Sequence, residues 1–227
     1  METQVSDREA REIARGRFIT LEGGEGAGKS AQARRLAARL SALGVEVVAT
    51  REPGGTPHAE RLREAILSGA LRELGPEAEA IAFAAARIDH VDERIRPALE
   101  RGAWVVSDRF ADSTRAYQGA GGKLGPAFVE RLERIAVGDI RPDLTLILDI
   151  DPEQGLARAA RRSGAADRFE REGLDFHHTL RQAFLAIAEA EPGRCAVIAA
   201  GGDEETVAAA IWSEVSRCLG ASLPGAE

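Results

Sequence analysis

The chain has 227 residues, of which 44% are apolar and 30% charged, and a net charge of −7 at pH 7; this is the composition of a single well-buried globular domain, not of a disordered or fibrous chain. The acidic balance argues against general binding to nucleic acid or to an anionic membrane surface, so any anionic ligand has to be held by local positive charge. Cys195 and Cys218 lack metal-ligand spacing and no apolar run approaches membrane-spanning length, so a cytoplasmic protein without membrane association is expected.

Residues 1–16 are polar and charged and read as a tail outside the fold; a single domain is expected over 17–220, with 221–227 as a second tail. Phe18-Ile19-Thr20-Leu21 is short, apolar and partly β-branched, as a strand buried on both faces should be. It runs into Gly23-Gly24-Glu25-Gly26-Ala27-Gly28-Lys29-Ser30, then into a helical pattern whose stripe Leu36, Leu40, Leu43 is ended by Gly44. A glycine-rich loop between a strand and a helix gathers backbone N–H groups at the positive end of the helix, where a phosphate chain can sit. The spacing G-x-x-x-x-G-K-S puts Lys29 on the β/γ-phosphates of a nucleoside triphosphate and the Ser30 hydroxyl on magnesium. The chain holds 28 arginines and only two lysines. A compact ammonium on a thin stem fits inside a loop closed around phosphate, where the planar fork of arginine would not.

The second strand is expected at Val45-Glu46-Val47-Val48-Ala49, followed by Arg51-Glu52-Pro53-Gly54-Gly55-Thr56. An alanine-rich helical stretch then sets Phe83 and Arg87 four residues apart on one face. Two readings stand there: a core phenylalanine beside an exposed arginine, or a pair that meets a ligand. The third strand, Trp104-Val105-Val106, leads into Ser107-Asp108-Arg109; Phe128, Leu132 and Ile135 mark the next helix stripe. The fourth strand, Leu144–Leu148, leads into Asp149-Ile150-Asp151-Pro152. Arg158, Arg161, Arg162 and Arg168 then surround Ser163-Gly164-Ala165-Ala166 in a lid expected at about 158–172. Such a segment either closes over a triphosphate or is a solvated helix end. Leu180, Phe184 and Ile187 mark a further helix, Cys195-Ala196-Val197-Ile198 a fifth strand, and His58, His177 and His178 read as structural.

Strands alternating with helices predict an α/β fold: a five-stranded parallel sheet with helices on both faces and ligands beyond the carboxyl ends of the strands. Arg51 and Arg109, each just after a strand, are expected to converge on a second anion with geometry suited to phosphate. Asp108 and Asp149, also at strand ends, either organise magnesium through its waters or cap the following turns.

Together these residues resemble the bacterial thymidylate kinases over roughly residues 17–215, through GGEGAGKS, TREPGGT at 50–56, Phe83 with Arg87, DRFADSTRAYQG at 108–119, RPDLTLILD at 141–149 and ADRFE at 166–170. The resemblance implies a P-loop nucleoside monophosphate kinase fold with a short lid, ATP and thymidine monophosphate (dTMP) as substrates, Mg2+ bound with ATP, and a homodimer packed through helices beside the acceptor site. It implies that loop 23–30 binds ATP, that Ser30 and Asp108 hold the metal, the latter through water, and that Lys29, Arg109 and the lid arginines Arg161, Arg162 and Arg168 act in transfer. By the same resemblance Arg51 and Arg109 address the acceptor phosphate, Glu25 lies near the deoxyribose 3′-hydroxyl, Phe83 stacks on thymine, Arg87 and Thr114 meet its edge, and Tyr117 crowds the 2′ position, with Pro53, Ser113 and Gln118 in the same wall. Gly26 stands where one variant of the family has a loop arginine, which implies the variant whose helper arginine is in the lid; Arg115 stands where a small or amide residue is usual. The rivals are a deoxynucleoside kinase with Glu52 as its base, another nucleoside monophosphate kinase, and a nucleotide switch without an acceptor.

Overall fold

The structure, a computed structural model, describes residues 15–161 and 168–224. Five strands form one parallel sheet in the order β2-β3-β1-β4-β5: β1 Phe18–Glu22, β2 Val47–Arg51, β3 Trp104–Asp108, β4 Leu144–Asp149 and β5 Cys195–Ala199. Side chains alternate across it. Ile19, Leu21, Trp104, Val106, Leu144, Leu146 and Leu148 face one layer, where α1 (Lys29–Ala42) and α9 (Glu204–Leu219) cover them. Phe18 and Val105 face the other, toward α3 (Pro76–His90), α4 (Arg96–Glu100) and α6 (Pro126–Val137). Ile147 meets α8 (Leu174–Ala190) on that side.

Burial on both faces holds for the central strands β1, β3 and β4, but β2 is half exposed and Val197 of β5 is open to solvent. Edge strands have neighbours on one side only, so their continuous apolar runs overstate their burial. The second strand also lies two residues later than its apolar run suggested, which brings Arg51 onto the strand opposite Asp108. Two helix stripes differ as well. Leu43 caps α1 and is exposed, and on α6 the buried face is Val129, Glu133, Ala136 and Val137 while Ile135 is 70% exposed. The chain is already packed at Gly16, whose N–H bonds the Leu99 carbonyl, and is still packed at Ser222, which accepts from Arg17.

Local chemistry sets where the remaining helices begin. Thr56 caps α2 (Pro57–Ser68) by accepting from the Ala59 N–H, and Asp151 caps α7 (Pro152–Ala160) through the Glu153 and Gln154 N–H groups. Pro57 and Pro152 take the first helical position, where no N–H is needed. Helix α1 starts differently: Gly28, at φ 88°, supplies no side-chain cap, so the first N–H groups stay available to an anion.

Leu146→Ala, at the centre of the buried strand β4, should lower the unfolding free energy by about 2–5 kcal/mol, whereas Val197→Ala on the open edge should stay within about 1 kcal/mol; urea denaturation measures both, and equal losses would contradict the burial gradient across the sheet.

Candidate active site

All five strands end at the same edge of the sheet, and the loops that follow β1, β2, β3 and β5 line one cleft of about 780 Å³. One wall is the loop 25–30 with Gln32 and Arg34; Arg51, Glu52, Pro53, Arg63, Phe83 and Arg87 form another; Asp108 to Gln118 supply a third. The cleft thus brings together Lys29, Arg51 and Arg109, as their placement at strand ends suggested.

Within the loop, Lys29 is buried and its Nζ donates to the Gly24 carbonyl at 2.7 Å. Burial, and then the charge of Arg109, bring its ammonium down to about 8 from 10.5, against the pull of Glu25, Asp108 and Glu22. Ser30 Oγ donates to Asp108 Oδ2, and Asp108 Oδ1 is buried without a hydrogen-bond partner among the described residues. A hydroxyl beside a carboxylate with a spare oxygen is a donor set suited to magnesium, which keeps most of its water and phosphate ligands. Asp149 does not share that role: Arg181 binds it at 2.7 and 2.9 Å, and it lines a separate small cavity with Gly23 and Gly24.

Gly26 has φ 68°, and a Cβ there would overlap the carbonyl of Gly155 in α7; a Cβ at Gly155 would in turn overlap the Glu25 carbonyl. The loop and the helix therefore meet backbone to backbone, and no arginine fits at position 26.

The second anion site is built around Arg109. Its backbone sits at φ 73°, an uncommon conformation for a side-chain-bearing residue, and the Ser107 hydroxyl braces its carbonyl at 2.7 Å. The guanidinium donates to Gly23 O, Ser113 Oγ, Glu25 Oε1 and Tyr117 OH. Burial pushes the Tyr117 hydroxyl well above its ordinary range, so it stays protonated and donates to Glu25 at 2.6 Å. Ser113 donates to Glu22, which also accepts the Phe110 N–H; burial, followed by the charge of Asp112, raises this carboxyl to about 7. Arg51 Nη2 donates to both carboxylate oxygens of Glu60, at 3.1 and 3.0 Å.

Sequence reasoning did not single out Arg63. It lines the cleft from α2 and donates to the Pro53 carbonyl at 2.7 Å. Burial, then the charge of Arg51, lower its guanidinium from the ordinary value, against the pull of Glu60 and Asp108. Its helical position, twelve residues after Arg51, was the available signal. Glu22 was missed too, although a carboxylate ending an otherwise apolar strand is the kind of buried polar group that needs an explanation.

Phe83 faces the cleft half-buried, and Arg87 is 3% exposed, which excludes an exposed arginine there. Arg87 donates to Glu52 Oε2 at 2.7 Å, Thr114 Oγ1 at 2.9 Å and the Phe110 carbonyl at 3.0 Å, leaving one N–H on each terminal nitrogen. Burial alone would raise the Glu52 carboxyl, but Arg87 and His90 together hold it below the ordinary value. The Glu52–Pro53 peptide is cis.

The described lid arginines Arg158, Arg161 and Arg168 lie in different surroundings. Arg158 donates to the carbonyls of Ala200, Gly201 and Gly202, tying α7 to the loop before α9. Arg161 is exposed, and Arg162 lies outside the described residues. Arg168, expected beside the transferring group, is paired instead with Glu79 at 2.6 Å and lies over the Phe169 ring. Glu79 is mostly buried, and a buried carboxylate takes the nearest guanidinium. Gln118 approaches the same Glu79 at 3.4 Å, and Phe169 meets Tyr117 edge-on at 5.2 Å.

A model of the thymidylate kinase family matches residues 21–211. The thymidylate kinase of Bradyrhizobium diazoefficiens is 55% identical over 205 residues, which is 89% of this chain and 90% of the relative. That of Nitrobacter winogradskyi is 56% identical over 201 residues, 88% and 87% of the two chains. The crystal structure of thymidylate kinase from Ehrlichia chaffeensis superposes with a TM-score of 0.73 at 32% identity, over 88% of this chain and 99% of that one.

Gly155→Ala would force a methyl group against the Glu25 carbonyl. Overpacking of this kind costs about 1–3 kcal/mol, and because the displaced atoms belong to the loop, affinity for ATP measured by calorimetric titration should fall roughly tenfold. Gly125→Ala, at a position with nothing within 4 Å of an added Cβ, is the control and should leave affinity unchanged.

Proposed function

The chain belongs to the thymidylate kinase family, and we propose that in this cleft the terminal phosphoryl group of ATP passes to the phosphate of dTMP, giving the diphosphate used for deoxythymidine triphosphate synthesis. The observation that carries this reading is the pair of cation groups in one cleft: Lys29 with the open N-terminus of α1 for the donor, and Arg51, Arg63 and Arg109 for the acceptor.

The acceptor is a phosphate monoester whose second pKa is about 6, so near neutral pH it is already a dianionic nucleophile and needs no base. The protein's task is then in-line positioning and stabilisation of charge on the transferring oxygens. Lys29 holds the β/γ-phosphates, assisted by the N–H groups of loop residues 23–30. Ser30 and Asp108 would hold Mg2+, which when bound with ATP neutralises phosphate charge. Because position 26 has no room for an arginine, we assign further positive charge on the donor side to Arg161 and Arg162.

On the acceptor side we assign the phosphate to Arg51, Arg63 and Arg109, with Pro53 and Ser113 beside them. Phe83 stacks on thymine, the free N–H groups of Arg87 and the Thr114 hydroxyl meet its edge, and Glu25 takes the 3′-hydroxyl. Tyr117 and Gln118 close the wall at the 2′ position. The rival in which Glu52 deprotonates a sugar hydroxyl is disfavoured, since both its oxygens are engaged by Arg87 and His90, which hold the carboxyl below its ordinary value and make it a weaker base. We further propose a homodimer, supported by the exposed Ile81 and Ile88 of α3 and the exposed Ile135 of α6, a helix that packs on α3. The free Cys195 and Cys218 and the use of ATP support a cytoplasmic location.

Assayed with ATP and Mg2+ against the common nucleoside monophosphates and thymidine, the protein should turn over dTMP best; preference for thymidine, or turnover that dTMP does not stimulate, would overturn the assignment. A proton linkage tests Lys29. In the free protein its ammonium titrates at about 8, and a bound triphosphate favours the charged form. ATP binding at pH 8.5 should therefore take up a proton that binding at pH 7 does not, read as a dependence of the calorimetric enthalpy on buffer ionisation. Lys29→Met should remove the difference.

A further inference from the structure

Arg115 lies within the segment 108–119 but does not line the cleft, and its guanidinium is turned to α6 and the end of α8 instead. Its Nε and Nη2 grip Glu133 of α6 at 2.6 and 2.8 Å, its Nη1 meets Glu191 at the end of α8 at 2.5 Å, and the same nitrogen lies 3.3 Å from Asp112 Oδ1. Arg194 completes the figure, bidentate on Asp112 at 2.7 and 2.9 Å and bonded to Glu191 at 2.8 Å. Asp112, Arg115, Glu191 and Arg194 thus form a closed ring of alternating charge, with Glu133 attached at Arg115. Asp112 and Glu133 are buried. Arg194, and then Arg115 beside it, bring the Glu191 carboxyl down to about 2.

The ring spans three elements: α5 (Ala111–Thr114) with the π-helical turn Arg115–Gly121, helix α6, and the end of α8. The residues on the other side of this short segment are Ser113, Thr114, Tyr117 and Gln118, all in the cleft wall. A one-turn helix running into a π-helical turn has little stability of its own, so its orientation depends on what grips it from behind. A lysine could not bind Glu133 with two parallel N–H groups, and a small or amide side chain would leave Glu133 buried without a cation.

We propose that Arg115 is a positioning residue for the acceptor site: by closing this ring it sets the angle at which Thr114, Tyr117 and Gln118 face the monophosphate. The inference rests on the reading of that wall as the acceptor side, and its test has a readout that does not. Tyr117 is the only tyrosine in the chain, so protein grown with 3-fluorotyrosine gives one 19F resonance from the wall itself. Arg115→Gln should broaden or split that resonance and raise the KM for dTMP roughly tenfold while the KM for ATP stays within about twofold. Arg115→Lys, which keeps the charge near Glu191 and Asp112, should restore part of both. Glu133→Gln, which loosens the ring from the partner side, should reproduce the effect in a milder form if Arg115→Gln does not fold. A lowered melting temperature with an unshifted, sharp 19F line and an unchanged KM would reduce Arg115 to a structural ion pair and overturn the proposal. Should dTMP not be the acceptor, the 19F line of Arg115→Gln still reports whether the wall has moved.

Discussion

Four cations, Lys29, Arg51, Arg63 and Arg109, share one cleft in a protein of net negative charge, and the rest of the site is arranged around keeping them there. Burial first, and then the charge of Arg109 on Lys29 and of Arg51 on Arg63, lower that ammonium and that guanidinium. Carboxylates offset the like-charge repulsion: Glu25 pairs with Arg109 and Glu60 with Arg51, while the charges of Asp108 and Glu22 act on Lys29 without a direct bond. Such a cluster is destabilising without an anion, and that cost becomes affinity once phosphate is present. A folded protein that gathers cations in this way is prepared for a highly charged ligand.

The segment that follows β3 carries much of this arrangement, and it is held from both sides. From the α3 side, Arg87 joins Glu52, Thr114 and the Phe110 carbonyl in one buried guanidinium. From behind, Arg115 and Arg194 join Asp112 to Glu133 and Glu191. Between these grips Arg109 is free to adopt its uncommon backbone conformation. Strain at one residue persists where neighbours determine its position more strongly than its own dihedral preference does.

The donor side relies on a different device, close backbone approach. Gly26 and Gly155 let the loop and α7 touch without side chains, and Arg158 ties the same helix to the turn before α9. The absence of an arginine at position 26 is thus a packing requirement, because the space it would occupy is filled by another helix.

What could be read along the chain were the features set by neighbours in sequence. The loop 23–30, the central strands and the strand-end positions of Arg51 and Arg109 all depend on local spacing and backbone chemistry. The partners of the arginines could not be read in this way. Arg87 stood between two readings and is buried on Glu52; Arg168 is paired with Glu79; Arg115 looked out of place and closes a charge ring; Arg63 drew no attention and lines the cleft. With 28 arginines in the chain, a guanidinium at a given position is equally compatible with solvent, a carboxylate or a phosphate. Which of these it meets depends on carboxylates tens of residues away, and those reach it only when the sheet and its two helical layers have closed.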